Sequence, residues 1–297
     1  MIFSKIINHF PPKLHYKGWN FIIDRLKESI SIKSGYPVLN TFVECSLQKQ
    51  DADLPKDKWM GILHSTLDDL HKTISNENFL NSYEYCIGLI TLSKDTKDYL
   101  SEKLDIPIFH TTHPKGCDGN KFNINAVFSS EGEQKLMHSG FHKRNLKKFV
   151  DFPTSLKKNI SFAKHWHLKD AEEVNLGLNQ LKELGIDCSF GFASNKNYIH
   201  NLISNISFSY FENVAASNGV LEHIMTGTPL VTNKLPANIE YLGEDYPFFI
   251  ESIEHNPDSF LRDKDIVSDC SSYLNYLSKQ NRFTVNHFVN FFKNLGI

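Results

Sequence analysis

The chain has 297 residues, enough for two α/β domains of ordinary size, and 40% of them are hydrophobic, which suffices for packed cores. Charged residues make up 22% and the formal net charge is -2, which excludes a disordered chain and a general basic surface for nucleic acid. The five cysteines are an odd number without a C-x-x-C pair, which argues against a disulfide or zinc framework and indicates a reducing compartment.

The N-terminal residues break at Pro11 and Pro12 and lack a long apolar run, so they do not resemble a signal peptide. No stretch elsewhere reaches the length that a membrane-spanning helix needs. We therefore expect a cytoplasmic protein. Peripheral contact with the inner face of a membrane stays open, as does the oligomeric state.

Short apolar segments alternate with segments of helical pattern along most of the chain, which predicts parallel sheets covered by helices. In the first half, residues 59–63 form an apolar run that ends at His64, and Ser65 and Thr66 supply a cap for the helix that follows. Ser93 caps another helix. The other elements that we predict in this half are a helix at residues 19–30 and strands at residues 36–43, 85–92 and 106–109.

The sequence pattern changes after this half. Residues 110–130 lack hydrophobic periodicity and are rich in Pro, Gly, Asn and Lys, as expected for a linker. We therefore predict an α/β fold of two domains, residues 1–122 and residues 123–279. The last forty residues have a helical pattern with an apolar face, so we expect residues 280–297 to pack back on the first domain.

The second half has a clearer alternation of strands and helices. Asp170 and Glu173 form a capping box for a helix that ends at Gly185, and Gly227 stops a short helix over residues 217–226. We predict strands at residues 135–138, 186–192, 206–211, 229–232 and 247–250. Ligands of open α/β sheets bind beyond the carboxyl ends of the strands, which directs attention to the loops there.

The first candidate loop, residues 139–148, follows the strand at 135–138. Gly140 allows the backbone to approach a phosphate closely, and Lys143 and Arg144 follow it with charges that neutralise an anion. A solvated basic run beside a helix explains the same residues equally well. Gly140, Lys143 and Arg144 are therefore candidate phosphate ligands.

The second candidate loop follows the strand at 206–211 and opens a helix with small residues. Ser217, Asn218 and the free amides of the helix start suit an anionic or sugar ligand. Glu222, one turn further on, can accept hydrogen bonds from both hydroxyls of a ribose. Helix capping by Ser217 and Asn218, with Glu222 as a surface charge, is the alternative that composition alone favours.

The spacing around Glu222 adds a resemblance to a known family. Glu222 precedes a Gly-Thr-Pro sequence at Gly227 by five residues, two apolar residues follow, and Glu240 ends the next loop. This pattern resembles the nucleotide-sugar motif of the large retaining glycosyltransferase families of the GT-B fold, in particular a subgroup from bacterial surface-polysaccharide clusters and large viruses. The loop after Gly140 resembles their phosphate-binding loop. The resemblance covers residues 135–250 and is much weaker before the linker.

The resemblance implies two Rossmann-like domains that face a central cleft, with transfer of a sugar from a nucleotide-sugar donor to a glycan or lipid-linked acceptor. It implies retention at the anomeric carbon, without a metal or another cofactor. It makes His64 a catalytic candidate beside the donor sugar. Asn213, Ser217 and Asn218 become candidate ligands of that sugar.

One motif position departs from the family. The first glutamate of the Glu-x7-Glu motif should stand eight residues before Glu222, where the sequence has Val214. Glu212, two residues earlier, is our candidate for that catalytic role. The departure supports a second hypothesis, a non-catalytic GT-B-like subunit that binds a nucleotide or glycan and supports a partner enzyme. A sugar epimerase on the same fold ranks third.

Other patterns carry less weight. A structural histidine explains His64 as well as catalysis does, since the chain has 14 histidines. His110 and His113 lie in the predicted linker without the helical spacing of a metal pair. Asp51 and Asp53 form a D-x-D sequence, but it lies in a polar loop rather than after an apolar strand, so we expect no metal site there.

Overall fold

The protein is described here by a computed structural model. The residues that it describes are 2–9, 18–47, 57–115, 120–129, 134–139, 143–162, 183, 186–190, 195–215 and 217–295. The chain forms two compact units. The first unit comprises Met1–Cys117, Asn213–Asn218 and Lys279–Ile297, and the second comprises Asp118–Glu212 and Gly219–Ser278. The domain bounds proposed from the sequence stay predictions, and nothing in the sequence indicated that residues 213–218 belong with the first unit.

A parallel five-stranded sheet forms the centre of the first unit, and its strands follow the order of the sequence from one edge to the other. A separate parallel pair joins β1 (Ile2–Phe3) to β3 (Ser31–Ile32). The five strands of the main sheet are β2 (Lys5–Ile7), β4 (Val38–Asn40), β5 (Trp59–Leu63), β6 (Cys86–Thr91) and β7 (Ile108–His110).

Helices connect these strands, as the alternating pattern predicts. They are α1 (Trp19–Ser29), α2 (Val43–Leu47), α3 (Leu67–Ile74), α4 (Glu77–Ser82) and α5 (Lys94–Ser101), with a 3-10 turn at Tyr83–Tyr85. Thr66 and Ser93 occupy the predicted N-cap positions of α3 and α5, but neither side chain makes a capping hydrogen bond. The Thr66 hydroxyl donates to Asp69 instead, and the Ser93 hydroxyl bonds that of Thr96.

The second unit is built on another parallel five-stranded sheet, and its strand order reverses. From edge to edge the order is β10 (Asp187–Phe190), β9 (Lys157–Phe162), β8 (Lys135–Ser139), β11 (Ile206–Ser209) and β12 (Leu230–Thr232). The chain therefore adds strands to one side of β8 and then returns to add β11 and β12 on the other side.

The helices of the second unit include the one that the sequence predicts at residues 217–226. They are α6 (Ile124–Val127), α7 (Leu146–Asp151), α8 (Asn195–Ile203), α9 (Asn218–Thr226), α10 (Pro236–Leu242), α11 (Ile250–Ile253), α12 (Pro257–Leu261) and α13 (Lys264–Ser278). The predicted helix that begins at Asp170 lies outside the described residues except for Glu183, which is helical.

The predicted strand at residues 247–250 is wrong. Phe249 makes a single isolated bridge to Thr232, and the helix α11 begins at Ile250. Phe248 and Phe249 are fully buried, so their apolar character reflects packing in the core rather than pairing in a sheet. A short apolar run does not by itself distinguish these two cases.

The central strand β5 separates two apolar cores in the first unit. Met60 and Ile62 lie in one core, while Trp59 and Leu63 lie in the other, because successive side chains of a strand point to opposite faces. Gly61 lies between them, and a Cβ atom there would come within 2.4 Å of Val43 Cγ2. The sheet is therefore buried on both faces, as parallel sheets usually are.

The C-terminal helix α14 (Val285–Asn294) covers one of these faces together with α1. Phe288 and Phe292 are fully buried there, and the Phe288 ring lies 5.8 Å from that of Trp19. The apolar face of the tail is thus part of the core of the first unit. Among the described residues, no helix combines the length and apolar composition that crossing a lipid bilayer requires.

Candidate functional site

The reversal of strand order in the second unit lies between β8 and β11, which are neighbours in the sheet. Loops that leave two such strands diverge to opposite faces, and a crevice forms between them at the carboxyl edge of the sheet. The sequential order in the first unit has no such reversal among the described strands. The sheet topology therefore directs the search for a ligand site to residues 139–145 and 210–222.

The two loops at this point are joined by their backbones. Asn145 donates its amide to the Tyr210 carbonyl at 2.8 Å, and Glu212 donates its amide to the Lys143 carbonyl at 3.0 Å. Arg144 and Phe211 thereby form an antiparallel bridge. Lys143 has a positive φ of 56°, which is uncommon for a residue with a side chain. The loop is therefore held in a specific conformation.

Arg144 carries the central charge of this region. Its guanidinium lies over the Phe211 ring, 5.2 Å from the ring centroid. The Nε atom is buried and has no hydrogen-bond partner among the described residues. Burial lowers the pKa of Arg144, while the nearby Tyr198 and Glu222 raise it. Because an arginine stays charged in proteins, an enclosed donor of this kind favours an anionic ligand.

Asn233 fixes the backbone beneath that guanidinium. Its side-chain oxygen accepts a hydrogen bond from the Phe211 amide, and its side-chain nitrogen donates to the Phe211 carbonyl, each at 2.9 Å. Asn233 is itself 4% exposed and directly follows β12. Sequence reasoning missed this residue, and its position just after a strand was the one signal that pointed to it.

Glu222 lies on α9 and faces a partner that the sequence did not reveal. The Tyr198 hydroxyl, from α8, donates a hydrogen bond to Glu222 Oε2. Burial raises the pKa of Glu222 to about 7, against the opposing effects of the Tyr198 hydrogen bond and the Arg144 charge. Burial and the Glu222 charge also raise the pKa of Tyr198 well above its usual value, so the phenol keeps its proton. Arg144, Tyr198 and Glu222 therefore form one interacting group.

His223, next to Glu222, is a buried neutral histidine. It is 2% exposed, and its Nδ1 atom donates to the Gly219 carbonyl at 2.6 Å. Burial lowers the pKa of His223 to about 4, so the ring is uncharged at neutral pH. Sequence reasoning did not single out His223.

The remaining predicted residues around the second loop differ in their exposure. Glu212 is exposed and accepts a hydrogen bond from Asn145 Nδ2 at 3.1 Å. Asn213 and Ser217 belong to the segment that groups with the first unit, and Asn218 is the first residue of α9. Val214, at the position of the missing glutamate, is 8% exposed and packs as an apolar side chain. Gly140 lies outside the described residues.

In the first unit, His64 stands at the carboxyl end of β5 and is held by a short segment that includes Phe42. The two rings are stacked, with centroids 3.9 Å apart and planes at 4°. His64 Nε2 lies 3.3 Å from the Thr41 carbonyl, and the Trp19 ring contacts the imidazole edge-on at 4.4 Å. The ring therefore has a fixed orientation and stays partly accessible.

Glu44 fixes the backbone of the same loop. Its Oε1 atom accepts hydrogen bonds from the amides of His64 at 2.7 Å and Ser65 at 2.5 Å. Burial raises the pKa of Glu44, and these hydrogen bonds oppose the rise. Sequence reasoning missed Glu44 as well, since it lies 20 residues before His64.

Among the described residues, His110 and His113 of the predicted linker belong to no group of side chains that could hold a metal ion. His113 is 2% exposed, bonds the Pro114 carbonyl through Nδ1 and packs against Trp19. Across the described part of the chain, no cluster of three or more His, Cys, Asp or Glu side chains is arranged to hold a metal ion. Asp51 and Asp53 lie outside the described residues.

No family model and no curated protein sequence matches the chain. Solved structures do match. TarM is 10% identical with a TM-score of 0.65, over 92% of this chain and 57% of TarM. HepE from Anabaena, in complex with UDP and glucose, is 11% identical with a TM-score of 0.63, over 92% of this chain and 80% of HepE. A UDP-forming trehalose-phosphate synthase from Burkholderia vietnamiensis is 9% identical with a TM-score of 0.60, over 92% of this chain and 78% of the synthase.

These proteins are glycosyltransferases of the GT-B fold. This chain has the GT-B fold. It spans little more than half the length of TarM. Within this GT-B chain, Arg144, Tyr198 and Glu222 lie in the second unit, on the loop after β8 and on the helices α8 and α9, and this group is the stronger candidate for a ligand site.

Proposed function

We propose that the chain is a glycosyltransferase that binds a nucleotide sugar at the carboxyl edge of the second sheet and transfers the sugar to a glycan or lipid-linked acceptor. The observation that carries this proposal is the electrostatic interaction of a partly buried cation, Arg144, with a partly buried carboxyl group, Glu222, at the reversal of strand order of a GT-B fold. The cation suits the diphosphate, and the carboxyl group suits the hydroxyls of the nucleoside.

Departure of the nucleotide requires its growing negative charge to be stabilised. Arg144 lies in an enclosed setting where a charge interaction is stronger than in water. Lys143 precedes it in a fixed loop conformation, and the first turn of α9 offers backbone amides. Stabilisation of charge in the transition state is usually a large catalytic contribution. These groups supply it in our proposal without a metal ion.

His64 is the proposed catalytic residue beside the donor sugar. Its ring is oriented by Phe42 and Trp19 while part of it stays accessible, which suits a residue that contacts a substrate. We also propose that the reaction retains the configuration at the anomeric carbon, because the motif around Glu222 resembles that of retaining glycosyltransferases. Asn213, Ser217 and Asn218 are the proposed donor-sugar ligands, with Glu212 in place of the missing first glutamate.

A second candidate function is a non-catalytic subunit that binds a nucleotide or glycan. The specific observation in its favour is Val214, a buried apolar side chain at the position where the related motif has a glutamate. A protein of this kind would keep the residues that bind the phosphate and the nucleoside but would not catalyse sugar transfer.

A panel of nucleotide sugars separates the two functions. Binding is measured by calorimetry, and release of the nucleoside diphosphate is followed with and without a mixed glycan acceptor. The proposal expects binding of one donor together with release that depends on His64, so that His64→Ala lowers the rate. Binding with no release under any condition would favour the non-catalytic subunit, and no binding of any donor would contradict both the transferase and a nucleotide-binding subunit.

A further inference from the structure

His223 carries a buried nitrogen that has no hydrogen-bond partner among the described residues. The side chain is 2% exposed on α9, and its Nδ1 atom lies 2.6 Å from the Gly219 carbonyl oxygen. Because a carbonyl oxygen only accepts, Nδ1 holds the hydrogen and Nε2 keeps a lone pair. Nε2 is the buried atom without a partner. The helix therefore presents a hydrogen-bond acceptor of fixed tautomer that the described residues leave unused.

The ring is neutral, so this acceptor is available at physiological pH. Burial lowers the pKa of His223 to about 4, the hydrogen bond to Gly219 opposes that shift, and the charge of Arg144 adds to it. A protonated ring would lose the lone pair at Nε2 and would repel the guanidinium. His223 therefore offers a lone pair within the electric field of a cation.

Arg144 carries the complementary group. Its Nε atom is buried, and no described residue accepts its hydrogen. The guanidinium lies over the Phe211 ring, and its charge acts on His223 as well as on Glu222. A buried donor and a buried acceptor each destabilise a protein until they are paired. The two atoms, each unpaired among the described residues, thus complement each other within one interacting group.

We propose that His223 is a positioning residue for Arg144, and that its Nε2 atom accepts the Nε hydrogen of the guanidinium when an anion binds. This inference rests on the proposed function. The pairing satisfies both buried groups at once and turns the two Nη groups toward the phosphate. Without an anion, the face of the Phe211 ring holds the guanidinium instead. His223 acts through Arg144 rather than by touching the ligand.

Two substitutions of similar size test the acceptor. Glutamine and methionine have similar length and shape, but the methionine sulfur is only a weak acceptor. UDP, GDP and ADP are screened by calorimetry, and the tightest binder serves for all variants. We expect His223→Gln to bind it about tenfold more tightly than His223→Met, the size of one hydrogen bond to a charged group. The controls His255→Gln and His255→Met, at an exposed histidine of the same unit, should bind it equally.

The same comparison in Arg144→Lys separates hydrogen bonding from packing. Lysine keeps the positive charge but has no guanidinium and therefore no Nε hydrogen. In this background His223→Gln and His223→Met should differ by less than about twofold, because the acceptor has lost its donor. A difference that persists in Arg144→Lys would assign it to packing and overturn the inference. Equal affinities of the two variants in the presence of Arg144 would overturn it too.

A spectroscopic measurement follows the Nε2 atom in the unmodified protein. The ¹⁵N resonance of an unprotonated imidazole nitrogen moves upfield when the nitrogen accepts a hydrogen bond, and the spectrum of His223→Gln identifies this resonance among the 14 histidines. We expect the shift on titration with the nucleotide and with inorganic pyrophosphate. Nucleotide binding without the shift would overturn the inference and leave the proposed function standing. The shift with pyrophosphate, without binding of any nucleoside diphosphate, would support the inference and contradict the proposed function, and binding of neither would overturn both.

Discussion

The guanidinium of Arg144 lies over the ring of Phe211, 5.2 Å from its centroid. This contact joins the two loops that leave β8 and β11, and it places a cation at the reversal of strand order in the second sheet. Phe211 is 4% exposed, and Asn233 holds its backbone on both sides. The position of the charge thus depends on residues that are far apart in the sequence.

Asn233→Asp should destabilise the protein and weaken nucleotide binding together. An aspartate still accepts from the Phe211 amide but cannot donate to its carbonyl, which leaves that buried group unsatisfied at a cost of about 1–3 kcal/mol. Urea unfolding and calorimetry with a nucleoside diphosphate measure the two effects. The control is Asn294→Asp, which makes the same substitution at the last residue of α14 in the first unit. Unchanged stability in Asn233→Asp would show that the hydrogen bonds to Phe211 are dispensable.

Glu222→Gln should fold nearly normally and bind the nucleotide more weakly. Glutamine keeps the size and one acceptor oxygen but loses the charge, so the expected loss is about 1–3 kcal/mol of binding free energy. Melting temperature and affinity are measured on the same sample. If Glu222 served only the helix, the variant would instead lose stability and keep its affinity.

The pKa of Glu222 also predicts opposite pH dependences for stability and for affinity. Its folded value is about 7, above the ordinary value of 4.5, so the folded state binds the proton more tightly than the unfolded state does. The stability that this group contributes is therefore complete below pH 4.5 and is lost as the pH rises through 7. Nucleotide affinity should rise over the same upper range, because the ionised carboxylate is the better acceptor.

The difference between the wild type and Glu222→Gln isolates this titration from the other groups. Free energies of unfolding and nucleotide affinities are measured for both proteins between pH 4.5 and 8. Parallel curves for the two proteins would show that Glu222 does not titrate in this range.

In the first unit, Glu44→Ala should impair transfer through His64. The variant removes the acceptor of the His64 and Ser65 amides, which frees the loop that carries the imidazole. We expect a rate as low as that of His64→Ala, with no further loss in the double variant. Glu28→Ala is the control, since Glu28 is exposed and pairs with Arg25 on the surface of α1. Fully additive losses would mean that Glu44 acts independently of His64.

Local patterns in the sequence were sufficient for most of the fold. The apolar run at residues 59–63 is β5, and the helix expected at 19–30 is observed as Trp19–Ser29. Short apolar strands and amphipathic helices are read from neighbouring residues, and so is the loop that contains Arg144. The wrong strand prediction at residues 247–250 also came from a local pattern. The buried Phe248 and Phe249 form a short apolar run, which looks like a strand in the sequence.

The partners within the site could not be predicted in this way. Tyr198 meets Glu222 across 24 residues of sequence, and Asn233 meets Phe211 across 22. Both contacts exist only once the fold brings together the helices α8 and α9 and the loops after β11 and β12. Neither Tyr198 nor Asn233 carries a local sign in the sequence that distinguishes it from an ordinary surface residue.

The most direct test of a nucleotide-sugar site in the second unit is the affinity of Arg144→Ala for a nucleoside diphosphate, measured by calorimetry against Lys147→Ala. Lys147 belongs to the same basic run, but its side chain is 81% exposed and pairs with Asp151. An enclosed phosphate site predicts a loss of about 1–3 kcal/mol for Arg144→Ala, a smaller loss for Lys143→Ala and none for Lys147→Ala. Affinities unchanged in Arg144→Ala, or lowered equally in all three variants, would contradict the site and return this loop to a solvated run of basic charge.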